Sequence, residues 1–152
     1  MKTLTRGHDL EQAVPFLLAR AGARMGNAFA NELKAFNLTL SEWRVCASLL
    51  SIPGQTLSEL APHAATKISA VSRIVDRLED MGLVVRSRSD SDGRAVHMHL
   101  TDKGLALTQE IVPFARRYEA VALAGFSRSE ISELRDMLNR IYVNAEALKI
   151  DS

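Results

Sequence analysis

Side chains that suit contact with a polyanion are concentrated between residues 67 and 94. Read with helical periodicity, the outward face of residues 67–81 carries serines and arginines, and further arginines follow in the turn-rich stretch after it. Short hydroxyl groups permit close approach, and arginine donates bidentate hydrogen bonds to a guanine edge or a phosphate. The candidate DNA-contacting residues are Lys67, Ser69, Ser72, Arg73, Arg77, Arg86, Arg88 and Arg94.

A plainer interpretation of the same spacing stays open. Asp76 and Asp80 each follow an arginine by three residues, so this helix face can pair its own charges and remain solvated. A turn that carries an arginine beside an aspartate is also typical of ordinary surface hairpins. Spacing alone therefore does not separate a DNA-reading face from a solvated one.

Two helices must carry and orient this face. Thr56 has capping-box spacing to Glu59 and starts a helix that is predicted to be short, because Pro62 removes a backbone donor. The helix that bears the candidate residues runs from about residue 67 to 81 and is stopped by Gly82. Together they form a helix-turn-helix in outline.

A β-hairpin is predicted directly after this helix pair. Residues 83–86 and 95–100 are short extended runs on either side of a polar turn that contains glycine. Arg86 and Arg88 are two residues apart and so share a strand face, while Arg94 stands at the turn. In a winged helix-turn-helix the second helix lies in the major groove, and the hairpin can reach the narrow minor groove, where the potential attracts guanidinium groups.

Long amphipathic helices flank this lobe, which spans about residues 38–100. The segments at about 10–36 and 101–150 are predicted to be dimerisation helices, because a partner chain is the simplest cover for their apolar stripes. The stripes include Leu18 in the first helix and Ile131, Leu134, Leu138, Ile141 and Leu148 in the last. The alternative is that these helices fold back onto the chain's own core. The predicted fold is mainly α with a small β-hairpin wing, in a single domain of residues 1–152.

Three stretches of the chain carry a resemblance to a known family. Residues 72–84 read SRIVDRLEDMGLV, and they are followed by Asp92-Gly93-Arg94 and by LTDKG at residues 100–104. Upstream, residues 38–45 read LTLSEWRV. In this order and spacing the motifs resemble the signature of the multiple-antibiotic-resistance regulator (MarR) family, and the resemblance covers nearly the whole chain.

The resemblance implies a homodimeric winged-helix transcription regulator, most often a repressor, that binds a pseudo-palindromic DNA duplex. It implies that Ser72, Arg73 and Arg77 lie at the DNA. It also implies that Asp92 helps to hold the wing while Arg94 probes the minor groove.

The sequence departs from the family pattern at two places. Residues 62–67 lack the glycine that is common in the turn and add a proline, so the start of the DNA-reading helix is uncertain by a residue or two. Gly93 stands where many relatives carry a second arginine, which weakens the expected wing contact.

A small-molecule effector is the next expectation that the resemblance brings. Family members commonly bind anionic, often aromatic or phenolic, molecules in a cleft between the dimer helices and the DNA-binding lobe. The candidate lining residues are Met25, Phe29, Trp43, Arg44, Phe114 and Arg117, with the arginines placed to meet a carboxylate. Ordinary core packing is the alternative for Phe29 and Trp43.

Other kinds of site have little support in the sequence. The single cysteine, Cys46, excludes an intrachain disulfide and falls on an apolar helix face, where a thiol is usually inert. His97 and His99 share a strand face, but no Asp, Glu or Cys accompanies them with ligand spacing, so neither a metal nor another cofactor is expected. The sequence has no phosphate loop, dinucleotide fingerprint or nucleophile elbow, and we expect no enzyme.

Charge and hydropathy limit the remaining choices. The 152 residues carry a net charge of +1, and residues 56–100 hold six basic and six acidic side chains. A protein that coats polyanions without selectivity is therefore excluded. The near-zero net charge also favours the rival interpretation, in which the winged helix contacts other proteins. No apolar run is long enough to span a membrane, and we expect a cytoplasmic protein.

Overall fold

The computed structural model describes residues 7–89 and 92–149, and in them the chain forms six α-helices and one antiparallel hairpin. The elements are α1 (Val14–Leu33), α2 (Leu40–Ser51), α3 (Leu57–Ala64), α4 (Ile68–Asp80), β1 (Val84–Ser89), β2 (Asp92–Leu100), α5 (Asp102–Ala122) and α6 (Arg128–Ala145). The first of two compact units ends at Arg116 and the second begins at Arg117. The predicted fold class, mainly α with a hairpin wing, is confirmed.

Local capping explains where the helices begin. The Thr39 hydroxyl accepts from the backbone N–H of Glu42, and the Glu42 carboxylate accepts from the N–H of Thr39, which is the reciprocal pair of a capping box. Ser127 and Glu130 form the same pair at the start of α6. Both pairs have the spacing of a capping box in the sequence, at residues 39–42 and 127–130, so the spacing predicts these two helix starts and the structure confirms them.

α3 is short, as predicted, but Pro62 does not end it. The helix continues through Pro62 to Ala64 and closes at Ala65, whose φ of 55° is left-handed. The family pattern has a glycine in this turn, and here an alanine takes a conformation that glycine adopts more easily. The turn therefore keeps its geometry without the usual residue, and α4 starts at Ile68, within the predicted margin.

The core of the first unit lies between α2, α3, α4 and the hairpin. Its fully buried aliphatic side chains come from each of these elements and from α1 and α5. They include Leu33, Val45, Leu49, Leu60, Val71, Val75, Leu78, Leu83, Met98 and Ile111. Because α4 buries one stripe here, its opposite face is left at the surface.

Besides the pairing of its two strands, the hairpin has a backbone contact with the loop before α3 that the sequence did not indicate. β1 and β2 pair antiparallel from Val84 opposite Leu100, with an irregularity after Arg88. Beyond them, Gln55 forms a bridge to Met98: the Met98 N–H donates to the Gln55 carbonyl at 2.8 Å, and the Gly54 N–H donates to the Met98 carbonyl at 2.9 Å. The loop before α3 therefore holds the base of the wing.

The LTDKG segment, residues 100–104, is joined to the turn after α4 by hydrogen bonds. The Thr101 hydroxyl donates to the Gly82 carbonyl at 2.6 Å, and Lys103 Nζ donates to the Met81 carbonyl at 2.9 Å. Gly104 is buried so close to Leu83 that a Cβ there would lie 2.0 Å from the Leu83 carbonyl oxygen. Two motifs that lie about twenty residues apart in sequence are thus one packing unit.

The apolar residues of α6, in the second unit, are largely exposed. No residue of α6 is buried, and Leu138 and Ile141 are each 39% exposed. Ile131 and Leu134 are half-buried, while Leu148 is exposed in the 3₁₀ turn Glu146–Leu148. A helix of this length has little stability in water without a packed face, so its stripe calls for a covering surface.

Candidate nucleic-acid interface

The solvent face of α4 carries part of the predicted DNA-contacting set. Lys67 occupies the N-cap position, and Ser69 and Arg73 follow on the exposed side; all three are exposed. Within the described residues, Arg73 makes no hydrogen bond or ion pair. Its guanidinium is therefore available to an outside acceptor.

Arg77 is held by neighbouring elements of the protein. Its Nε lies 2.6 Å from Oε2 of Glu42, a carboxylate whose side chain is only 3% exposed, and its Nη2 donates to the Asn37 carbonyl at 3.3 Å. A buried carboxylate needs a partner, and the Glu42 capping role provides a second one at the Thr39 N–H. Arg77 therefore ties α4 to the entry of α2.

Arg86 is engaged in the same way on the other flank of α4. Its Nη2 lies 2.8 Å from Oδ1 of Asp76 and donates to the Ser72 carbonyl at 3.4 Å, and its Nη1 pairs with Glu79. Ser72, Asp76 and Glu79 are three or four residues apart and so line one stripe of the helix. One guanidinium of the wing strand therefore spans about two turns of α4.

These contacts bear on the local charge pairing that the sequence left open for this helix face. The partners of Asp76 and Arg77 lie on other elements, so local pairing within the helix is not how their charges are met. Ser69 and Arg73 lie between the two flanking arginines. The structure thus holds α4 on both sides and leaves the middle of its outer face open.

The wing carries the remaining candidates. Arg88 and Arg94 are both exposed, on β1 and β2. The predicted role of Asp92 in holding the wing stays a prediction, because its side chain lies outside the described residues.

Sequence reasoning missed three acidic residues that organise this surface. Glu42 was assigned to a cap, Asp76 to a local pair and Glu79 to no role. A capping-box acid on an otherwise apolar helix face was a signal that the buried Glu42 carboxylate has a second partner. No comparable signal distinguished Glu79 from an ordinary surface acid.

Within the described residues, the predicted effector-lining residues have different surroundings. Phe29 and Trp43 are buried and pack edge to face, with ring centroids 5.7 Å apart, as the core-packing alternative expected. Phe114 packs on Phe36 at 5.7 Å, and Met25 is 45% exposed. Arg117 belongs to the second unit.

A cleft of about 420 Å³ does include two of them. It lies along the outer face of α2, at its contact with α3. Its lining residues are Trp43, Arg44, Ala47, Ser48, Ser51, Ile52 and His63. An indole, a guanidinium, hydroxyls and an imidazole in one cleft suit a small aromatic anion.

Polar side chains connect the floor of the cleft to the wing. Ser48 Oγ lies 2.5 Å from His63 Nδ1 and accepts from Gln55 Nε2 at 2.9 Å. The Gln55 amide also donates to the Ser48 and Ile52 carbonyls, which satisfies a side chain that is buried. Since the Gln55 backbone pairs with Met98, the cleft and β2 share one hydrogen-bonded loop.

Cys46 is a structural thiol. Burial raises its pKa to about 12, opposed by a hydrogen bond with Thr108 and reinforced by the neighbouring charge of Glu42. A thiol that stays protonated is a poor nucleophile. Oxidant sensing at Cys46 therefore has no support in this geometry.

The histidines of the wing have a packing role. His97 Nδ1 lies 2.8 Å from the Gly54 carbonyl oxygen, and the His99 ring packs against Gly54. Across the described ranges, no three His, Cys, Asp or Glu side chains converge as a metal ion requires. In the same residues no helix combines the length and apolarity needed to cross a bilayer.

Comparison with known proteins gives a consistent result for this geometry. Residues 38–96 match the sequence model of the MarR family. The HTH-type transcriptional repressor Rv2887 of Mycobacterium tuberculosis is 35% identical over 127 residues, which is 83% of this chain and 91% of that protein. The crystal structure of Rv2887 in complex with salicylic acid has a TM-score of 0.68 at 32% identity, and it covers 85% of this chain and 96% of that one.

Two further solved structures share the architecture. A MarR family transcriptional regulator from Silicibacter pomeroyi has a TM-score of 0.82 at 27% identity, covering 91% of this chain and 96% of that one. BpsR of Bordetella bronchiseptica, whose DNA binding is regulated by 6-hydroxynicotinic acid, has a TM-score of 0.80 at 25% identity, covering 90% and 98%.

Proposed function

The chain belongs to the MarR family of DNA-binding, winged-helix transcription regulators, and from this premise we propose that it is a homodimeric repressor released from a pseudo-palindromic operator by a small aromatic acid. The observation that carries the DNA-binding part is the open middle of α4. There Ser69 and Arg73 are exposed between two arginines that fix the helix. The same proposal assigns the protein to the cytoplasm, together with its DNA.

Salt dependence is the first test of this role. A protein that neutralises phosphates releases counterions, so the logarithm of affinity falls linearly with the logarithm of salt concentration. We expect a steep slope for a duplex selected by the protein from a random library. Arg73→Gln should lower the affinity for this duplex. If Arg73 contacts a phosphate, the slope should flatten by about 1 per subunit, whereas an unchanged slope with relaxed sequence preference means that Arg73 contacts a base.

Arg140→Gln is the matched control, because it removes the same charge from α6. It should leave both affinity and slope as in the wild type. Absence of any duplex binding at low salt would refute the DNA-binding part of the proposal for this chain.

The dimer is supported by the open stripe of α6. Leu138, Ile141 and their neighbours form an apolar face with no cover in the described part of the chain. A second copy of the chain is the proposed cover, since two α4 helices related by a twofold axis match half-sites about one helical turn apart.

The cleft beside α2 is the proposed effector site. Arg44 can meet a carboxylate and Trp43 offers an aromatic edge. Two relatives support an acid of this kind, since Rv2887 forms a complex with salicylic acid and 6-hydroxynicotinic acid regulates the DNA binding of BpsR. Release then follows from population shift: the acid binds a dimer geometry in which the two α4 helices no longer fit the half-sites.

Salicylate is a usable first probe of this cleft. We expect it to weaken operator binding by about 5 to 150-fold, the usual range of allosteric coupling. Arg44→Gln should remove that response while leaving ligand-free DNA affinity unchanged, whereas Arg140→Gln should respond as the wild type does. A full response in Arg44→Gln would refute the role of Arg44.

A further inference from the structure

Arg86 lies on the wing, where an arginine is expected to meet DNA, yet its guanidinium faces the protein. Its side chain is 27% exposed, and its terminal nitrogens reach Asp76, Glu79 and the Ser72 carbonyl. Arg88, two residues along the same strand, is exposed and makes no hydrogen bond or ion pair among the described residues. The two arginines of one strand face thus have different surroundings.

We propose that Arg86 is a positioning residue for DNA recognition, which fixes the wing against α4 so that both elements meet the duplex in one geometry. The inference rests on the proposed function, in which α4 and the wing act together on DNA. It assigns the phosphate contact on this strand to Arg88 alone.

The geometry favours a rigid link over a chance surface pair. The planar guanidinium bonds acceptors on one stripe of α4 through two different nitrogens, and such a fork holds orientation as well as distance. Glu79 is 33% exposed, so the pair is partly withdrawn from water and salt screens it less than an open pair.

The charges give the link a second effect. Asp76 is 61% exposed on the recognition helix and would by itself repel a phosphate backbone. Arg86 compensates it from the wing. Asp76 and Glu79 therefore share the charge of the wing arginine, which weakens their repulsion of the DNA.

A comparison of Arg86→Gln with Arg88→Gln tests the assignment. Both variants lose one charge from the same strand face, and both are measured against a library-selected duplex and a random duplex over a salt series. For Arg88→Gln we expect affinity for both duplexes to fall together, with a slope reduced by about 1 per subunit.

For Arg86→Gln we expect a different pattern. Affinity for the selected duplex should fall on the order of tenfold, the scale of coupling within one ion-pair network, with an unchanged slope and a smaller loss on random DNA. A slope reduced as in Arg88→Gln would overturn the assignment. Failure of the wild type to bind either duplex would instead overturn the proposed function.

Two further variants keep the test decisive if Arg86→Gln folds poorly. Arg86→Lys keeps the charge but cannot span both acids, so a positioning role predicts loss of preference for the selected duplex, and a phosphate contact predicts that binding is kept. Asp76→Asn with Glu79→Gln should lower the ratio of selected to random affinity. A rise of both affinities with an unchanged ratio would contradict the proposal.

Discussion

A variant with Leu138→Glu and Ile141→Glu is expected to sediment as a monomer and to lose binding of a two-half-site duplex by about 10²- to 10⁴-fold. The two positions are three residues apart on the same face of α6, and each is 39% exposed in the single chain. Burying two carboxylates in an apolar contact carries a large desolvation cost. Without the dimer, the second half-site is no longer bound intramolecularly, and the advantage of effective concentration disappears.

The matched control places the same charges on the other side of α6. Ser132→Glu with Asn139→Glu adds two carboxylates at exposed positions away from the stripe, and this variant should remain dimeric with full operator affinity. Circular dichroism must show that both variants keep their helices. A Leu138→Glu, Ile141→Glu protein that still sediments as a dimer would show that α6 does not form the interface.

The parts of this fold that could be predicted from the sequence are those fixed by neighbours along the chain. A capping box joins residues three apart, so Thr39 with Glu42 and Ser127 with Glu130 were visible as spacings. The hairpin followed from two extended runs around a turn. At Pro62 the same local rule predicted a short helix, which α3 is, but the helix continues past the proline because its packing into the core outweighs the loss of one backbone donor.

The roles of individual charges were not visible in the same way. Arg77 and Glu42 are 35 residues apart in sequence, and Arg86 reaches back to the preceding helix. Sequence spacing identified both arginines as members of a basic cluster. Only the packing of α2, α4 and β1 shows that they are bound to acids of the protein.

This pairing changes what the equal numbers of acidic and basic side chains in the lobe imply. Six basic and six acidic side chains between residues 56 and 100 suggested a surface with little attraction for DNA. Asp76 and Glu79 pair with Arg86, whereas Lys67, Arg73 and Arg88 stay exposed. A site-selective DNA contact depends on where the exposed basic side chains lie, and it needs no excess charge in the sequence.

Gly104→Ala is expected to lower the free energy of unfolding by about 3 kcal/mol, the upper part of the usual range for overpacking. A Cβ at this position would lie 2.0 Å from the Leu83 carbonyl oxygen and 2.9 Å from its carbonyl carbon. That carbonyl cannot move away easily, since it accepts from the Thr101 N–H at 3.0 Å and the Leu83 N–H donates to Leu78 at 2.9 Å. Thermal unfolding at fixed protein concentration should show a midpoint lower by about 10 °C.

Gly22→Ala is the control, because it adds the same methyl group at a position with open space around it. Gly22 lies inside α1 with no atom within 4 Å of its would-be Cβ, so alanine there should stabilise the helix by about 0.5–1 kcal/mol. The two glycines thus predict effects of opposite sign for the same added methyl group. Leu83 lies between α4 and the wing, so a shift forced by a methyl group on Gly104 would displace both elements that are proposed to contact DNA. Wild-type stability in Gly104→Ala would mean that α5 does not approach Leu83 as closely as the structure shows.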